Sequence, residues 1–264
     1  MPELELLSRL PQQDSGRTPL LFLHGAFSAA WCWDEHFLPY FAAHGYPAYA
    51  VSLRGHGGSE GHERLLSTRL QDYVADLMRT ITALPRPPVL VGHSMGGMVI
   101  QKYLERHSVP GAVLMASVPP QGLLWSSAWM ACQDPWLYQQ LNLLLWGGPR
   151  FASPQLLRRA IFSPTSPEWQ VARYFRRMQR ESQQVALDMS WLDLPGRPLE
   201  PCPPLLVLGA EGDVLVPPLM VEATARRFGT RAEIFPDMAH AMMLERGWQR
   251  VAEHIRTWLQ RLGL

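Results

Sequence analysis

The sequence predicts an α/β fold: a mostly parallel central sheet with helices on both faces and a helical segment inserted late in the chain. Three observations carry that expectation. Aliphatic runs without polar alternation, such as Leu20–Leu23, Val89–Val91 and Leu205–Leu208, have the pattern of strands covered on both faces. Helical stretches separate the early strands, giving the order β-α-β-α-β-α-β through residue 116, as parallel strands joined by crossovers require. From Pro119 to Pro201 the strand pattern vanishes, and six of the ten tryptophans fall in that interval.

At 264 residues, 47% of them hydrophobic, the chain suits one α/β domain with an insertion. The expected division is a core of residues 1–120 and 200–264 around a helical cap at 121–199. A net charge of +1 gives no footprint for nucleic acid. Cys32, Cys132 and Cys202 are odd in number and lack metal or redox spacing, so free thiols in a reducing compartment are expected. The start, Met1-Pro2-Glu3-Leu4-Glu5, is acidic, and no run reaches the ~18 apolar residues of a spanning helix. The expectation is a cytoplasmic protein without stable membrane insertion, a monomer or homodimer. It is expected to need no metal or organic cofactor.

Residues 3 to 18 read as short edge strands and turns, with a turn at Asp14-Ser15-Gly16. The strand Leu20–Leu23 runs into His24-Gly25-Ala26-Phe27, then Trp31-Cys32-Trp33 and a helix near 35–44. A glycine just past a central strand lets the backbone approach another group, which suits the Ala26 amide to donate to an oxyanion. Tyr46 to Leu53 is the next strand, ending in the glycine-rich loop Arg54-Gly55-His56-Gly57-Gly58-Ser59. That loop is not a dinucleotide fingerprint: its third glycine is out of place, and helical periodicity resumes only near Ser67. His56 is therefore expected to be a structural loop residue. Leu70, Tyr73, Val74, Leu77, Met78 and Ile81 mark an amphipathic helix over 67–84, closed by Pro85, Pro87 and Pro88.

The next strand turns straight into a helix through Gly92-His93-Ser94-Met95-Gly96. The turn forces Ser94 into a strained backbone conformation, so residues two positions either side must lack side chains. The strain lifts Oγ clear of the sheet, and the Met95 amide at the helix start faces any oxyanion formed there. Gly111 to Ala116 is a further strand. In the insertion, Leu123–Trp146 and Pro167–Trp191 read as helical. Phe27, Trp125, Trp129 and Trp146 are candidates to line an apolar substrate cleft, the remaining aromatics being packing between cap and core. The sheet resumes at Leu205–Leu208, followed by Gly212-Asp213, a helix to Phe228, the strand Ala232–Phe235, the loop ending at His240, and a helix over 245–262.

A serine hydroxyl is a poor nucleophile at neutral pH and needs a base, which in turn needs an acid to fix its tautomer. Ser94, Asp213 and His240 each lie in a loop directly after a strand, at one edge of a parallel sheet. Glu211 competes with Asp213 for the acid role, and the Gly212-Asp213 turn favours Asp213. Asp237 is too near His240 in sequence to reach its far nitrogen, and His93 is expected to support the turn at Ser94.

On these residues the chain resembles the α/β-hydrolase family. The likeness rests on His24-Gly25-Ala26, Arg54-Gly55-His56-Gly57-Gly58-Ser59, Gly92-His93-Ser94-Met95-Gly96-Gly97, Gly212-Asp213 and His240, and spans the core on both sides of the cap. It implies the α/β-hydrolase fold, Ser94 as nucleophile, His240 as base, Asp213 as its partner, and the Ala26 and Met95 amides as oxyanion hole. His24-Gly25-Ala26 with Trp31-Cys32-Trp33 is also similar to the small esterase and hydroxynitrile lyase branch. The expected activity is hydrolysis of a small-molecule apolar ester, with small to medium acyl groups, through an acyl-enzyme. The same triad can also run C–C bond hydrolysis, lactone opening, acyl transfer or cyanohydrin cleavage, and a non-catalytic ligand receptor is the alternative of another class. A haloalkane dehalogenase would need aspartate where Ser94 stands.

Overall fold

The computed structural model describes residues 2–13 and 15–264. Its strands are β1 (Leu6–Arg9), β2 (Leu20–Leu23), β3 (Ala48–Val51), β4 (Val89–His93), β5 (Ala112–Met115), β6 (Leu205–Ala210) and β7 (Ala232–Phe235). They form one sheet in the order β1-β3-β2-β4-β5-β6-β7. Among the described residues only β1 is antiparallel, to β3; every other pairing is parallel. The turn expected at Asp14-Ser15-Gly16 includes Asp14, which lies outside the described residues.

The early helices are α1 (Trp31–Asp34), α2 (Phe37–Ala43), α3 (Leu70–Ala83) and α4 (Met95–Tyr103). Between β5 and β6 come α5 (Leu124–Gln133), α6 (Pro135–Gly147), α7 (Pro154–Ile161), α8 (Glu168–Phe175) and α9 (Gln183–Leu187), the last running into a π-helical turn at Asp188–Leu192. α10 (Pro218–Arg227) and α11 (Trp248–Arg261) complete the chain. The alternation of side chains along a strand divides the core into two layers. Leu20 and Phe22 pack with Trp33, Phe37, Phe41, Val251 and Ile255 on one face. Leu21 and Leu23 pack with Tyr73, Leu77, Val99 and Val221 on the other. Both faces are covered, which is why the strands carry no polar alternation.

The inserted segment differs from the expectation in detail. Leu123–Trp146 is two helices, because Pro135 has no amide to continue α5 and instead opens α6, whose first turn is capped by Asp134 Oδ1 accepting from Leu137 N–H at 3.0 Å. Pro167–Trp191 is likewise interrupted, residues 176–182 lying outside helix. α7 is an addition to the expected helices: Ser153 caps it at 3.0 Å and Pro154 starts it. Among the described residues no helix is long and apolar enough to cross a membrane.

Candidate active site

Because β2, β4, β5, β6 and β7 run parallel, the loops that follow them meet at one edge of the sheet. The loop after β4 is a single residue. Ser94 has φ 53° and ψ −116°, and α4 begins at Met95. This conformation persists because the glycines flanking it admit close backbone contact. A Cβ on Gly92 would sit 2.6 Å from the Gly96 carbonyl oxygen, and one on Gly96 would sit 2.5 Å from that of Leu23. Met95 is the first helical residue, so its amide has no acceptor within α4.

After β2, the fully buried His24 fixes the peptide that carries the Ala26 amide. Its Nε2 accepts from Leu53 N–H at 3.1 Å, so Nδ1 holds the proton and donates to the Gly25 carbonyl at 2.8 Å. Burial, and then the charge of His56, push the His24 pKa down to about 3. In a trans peptide the carbonyl and amide point opposite ways, so the Ala26 N–H is turned away from His24.

The loops after β6 and β7 bring a carboxylate and an imidazole together. Asp213 Oδ2 accepts from His240 Nδ1 at 2.7 Å, while its Oδ1 accepts from Leu215 N–H and Val216 N–H, both at 2.9 Å. A carboxylate only accepts here, so Nδ1 carries the proton and Nε2 keeps its lone pair. The competing Glu211, and Asp237, are exposed. His93 Nε2 donates to the His240 carbonyl at 2.8 Å, tying the residue beside Ser94 to the loop that carries His240. Burial, then the nearby His240, hold the His93 pKa well below its usual value, so its ring is neutral. The buried Glu245 steadies the same loop: it accepts from Ala239 N–H at 3.2 Å, from Ser163 N–H and Oγ–H at 2.6 Å, and from Ser166 Oγ–H at 3.1 Å.

Ser94 and His240 line one cavity of about 150 Å³, together with Gly25, Ala26, Phe27 and side chains of the inserted segment such as Leu144 and Leu157. A second cavity of about 210 Å³ shares Ala26, Phe27 and Ser94 and adds Met95, Met130 and Met189. Phe27, expected at the cleft, borders both. Trp125, Trp129 and Trp146, expected beside it, are 67%, 54% and 50% exposed and border neither cavity. Helices α5 and α6 are apolar nearly all round, so sequence pattern alone could not say which face turns inward.

Glu181 has no local signature in the sequence. This fully buried carboxylate comes from the stretch between α8 and α9 and meets His56 Nε2 at 3.1 Å and Tyr73 O–H at 2.9 Å. The structural role expected for His56 is thus an ion pair with a residue 125 positions away. Among the described residues, no group of three or more His, Cys, Asp or Glu side chains is arranged to hold a metal ion.

Known proteins resemble this chain in both sequence and fold. It is 38% identical over 111 residues to a non-heme chloroperoxidase of Streptomyces lividans, a match spanning 39% of this chain and 37% of that protein. It is 35% identical over 92 residues to epoxide hydrolase 3 of Xenopus tropicalis, which spans 34% of this chain and 25% of the other. The chain thus matches well under half the length of these relatives. A thermophilic esterase from Thermogutta terrifontis superposes with a TM-score of 0.75 over 99% of this chain and 94% of its own, at 20% identity, a likeness of fold alone. The sequence pattern of the alpha/beta hydrolase family matches residues 20–254, and with the sheet order and the turn at Ser94 this establishes that the chain belongs to the alpha/beta hydrolase family.

Proposed function

We propose that the chain is a serine hydrolase that cleaves carboxylic esters of small to medium apolar acyl groups through an acyl-enzyme, with residues 121–199 acting as a cap over the strand ends. The observation that carries this reading is the 2.7 Å bond from His240 to Asp213 at an apolar cavity that Ser94 also lines. In this tautomer His240 Nε2 is free to take the Ser94 proton as Oγ attacks the ester carbonyl. The oxyanion is stabilised by the Ala26 and Met95 amides, each such donor being worth about 10²- to 10³-fold in rate. His240 then protonates the leaving alcohol, and a water activated by the same nitrogen adds to the acyl carbon. Collapse of the second tetrahedral intermediate breaks the Ser94 ester, releases the acid and returns the proton to Oγ.

The cavity volumes favour a small acyl group, since about 150 Å³ and 210 Å³ flank Ser94 and the walls are largely aliphatic. The test is a p-nitrophenyl ester series of increasing acyl length on wild type and Ser94→Ala, with an epoxide as a parallel substrate because one relative is named for that chemistry. Expected are a maximum at short to medium chains, labelling of Ser94 by a fluorophosphonate, and at least about a 10³-fold loss in the variant. Ester turnover that survives in Ser94→Ala, or turnover of the epoxide alone, contradicts the reading.

A further inference from the structure

Three successive peptide groups of the loop after β2 are each held by a hydrogen bond, two of them from outside the loop. The Gly25 carbonyl accepts from His24, the Phe27 N–H donates to Glu181 Oε2 at 3.3 Å, and the Phe27 carbonyl accepts from Gln179 N–H at 3.1 Å. The last two partners come from the non-helical stretch between α8 and α9, so the inserted segment grips both sides of a single core residue. That residue is under strain. Phe27 has φ 63°, a conformation that costs a non-glycine residue on the order of 1 kcal/mol and lasts only where neighbours enforce it.

The grip is built around a buried ion pair. Glu181 Oε1 accepts from Tyr73 O–H at 2.9 Å and Ser182 N–H at 2.6 Å; Oε2 accepts from His56 at 3.1 Å and from Phe27. Its acceptor capacity is filled, so although it borders the second cavity it has nothing left to offer a substrate. His56 Nδ1 meets the Arg54 carbonyl at 3.0 Å and Nε2 meets the carboxylate. Both partners can only accept, so both ring nitrogens carry protons and His56 is cationic. Gln179 closes the arrangement from the other side, donating to the Gly55 carbonyl at 3.0 Å and accepting from Gly57 N–H at 2.9 Å.

We propose that Glu181 is a positioning residue for the oxyanion-binding amide of Ala26, holding the adjoining Phe27 peptide so that the donor keeps its direction toward the reacting carbonyl. This rests on the ester-hydrolase reading. The effect belongs to the transition state: the oxyanion exists only after Oγ has attacked, so a donor turned aside slows the chemical step and leaves ground-state binding in place. A misplacement of about 1 Å is worth about 10²-fold.

The test compares wild type, Glu181→Gln and the double variant Glu181→Gln/His56→Gln, which removes both charges and so avoids stranding the imidazolium if the single variant does not fold. Tyr73→Phe, which removes one donor to Glu181 and no charge, provides a milder third. Activity on one p-nitrophenyl ester is expressed per fluorophosphonate-titrated site, and amide hydrogen exchange is followed across residues 25–29. The expected result is a kcat lowered about 10- to 100-fold in the Glu181 variants, less in Tyr73→Phe, with KM within about threefold and faster exchange in that peptide. A purely structural role would reduce the titrated fraction and leave kcat per site unchanged; that outcome overturns the proposal. Failure of the ester reading is separately visible, because wild type itself would then lack Ser94-dependent turnover.

Discussion

Replacing Asp213 by Asn isolates what its carboxylate does from what its position does. Asn can keep one oxygen on the Leu215 and Val216 amides, which Asp213 Oδ1 now holds at 2.9 Å each, so the turn after β6 retains its local bonds. The amide NH₂ must then face His240 Nδ1, where the carboxylate oxygen now accepts at 2.7 Å. Two donors cannot share that contact, so the imidazole moves its proton to Nε2. On the proposed mechanism the base is then lost, because Nε2 has become a donor. An inverted tautomer, with no carboxylate to stabilise the imidazolium, costs about 10³- to 10⁴-fold in kcat, or roughly 4 to 5.5 kcal/mol of barrier. The assay is kcat and KM on a p-nitrophenyl ester together with a thermal melt, with the exposed Glu211→Ala as the control expected to match wild type. An Asp213→Asn enzyme within tenfold of wild type, or a Glu211→Ala enzyme that loses activity, refutes the assignment of the acid.

Gly96→Ala puts a methyl 2.5 Å from the Leu23 carbonyl oxygen and 2.7 Å from that of His24, both backbone atoms, so a lowered Tm and lost activity are expected, and a wild-type melt would contradict the steric account of the turn. The His56–Glu181 pair gives stability a pH window. Burial disfavours the charged form of each, yet the partner's charge prevails, leaving the His56 pKa above 6.5 and that of Glu181 below 4.5. The raised His56 value stabilises fully below pH 6.5 and fades as pH rises through it; the lowered Glu181 value stabilises above pH 4.5 and fades as pH falls through it. The Tm gap between wild type and Glu181→Gln/His56→Gln is therefore largest between those two values, and a gap that widens toward alkaline pH contradicts the charged pair. Trp125→Ser and Trp129→Ser alter side chains 67% and 54% exposed and outside both cavities, so ester kinetics within about twofold of wild type are expected. A change of acyl-length preference would mean that they reach the substrate after all.

What could be read from the sequence was whatever depends on neighbours along the chain. Leu20–Leu23 and Val89–His93 announce buried strands through their composition, and Gly92 and Gly96 announce a steric need at Ser94, since a Cβ added at either would meet backbone within 3 Å. The contact of His240 falls on Asp213 and not on the exposed Glu211, the residue that the local Gly212-Asp213 turn favours being Asp213. The break at Asp134-Pro135 was also legible, since proline cannot extend a helix, but the apolar run obscured it. Two features had no local signature. The outward face of α5 and α6 is set by what they pack against, and the partners of Glu181 lie at Phe27, His56 and Tyr73, brought together only by the tertiary fold.

Three buried carboxylates fasten the inserted segment to the core: Glu181 grips the loop after β2, Asp188 takes the Arg69 side chain and the Leu70 amide at the start of α3, and Glu245 holds Ser163 and Ser166 beside the loop after β7. Lifting the segment away would break all of these hydrogen bonds together. The segment is therefore not a door on one hinge. It is a bridge on three piers, with the tryptophans of α5 and α6 turned to water along its span.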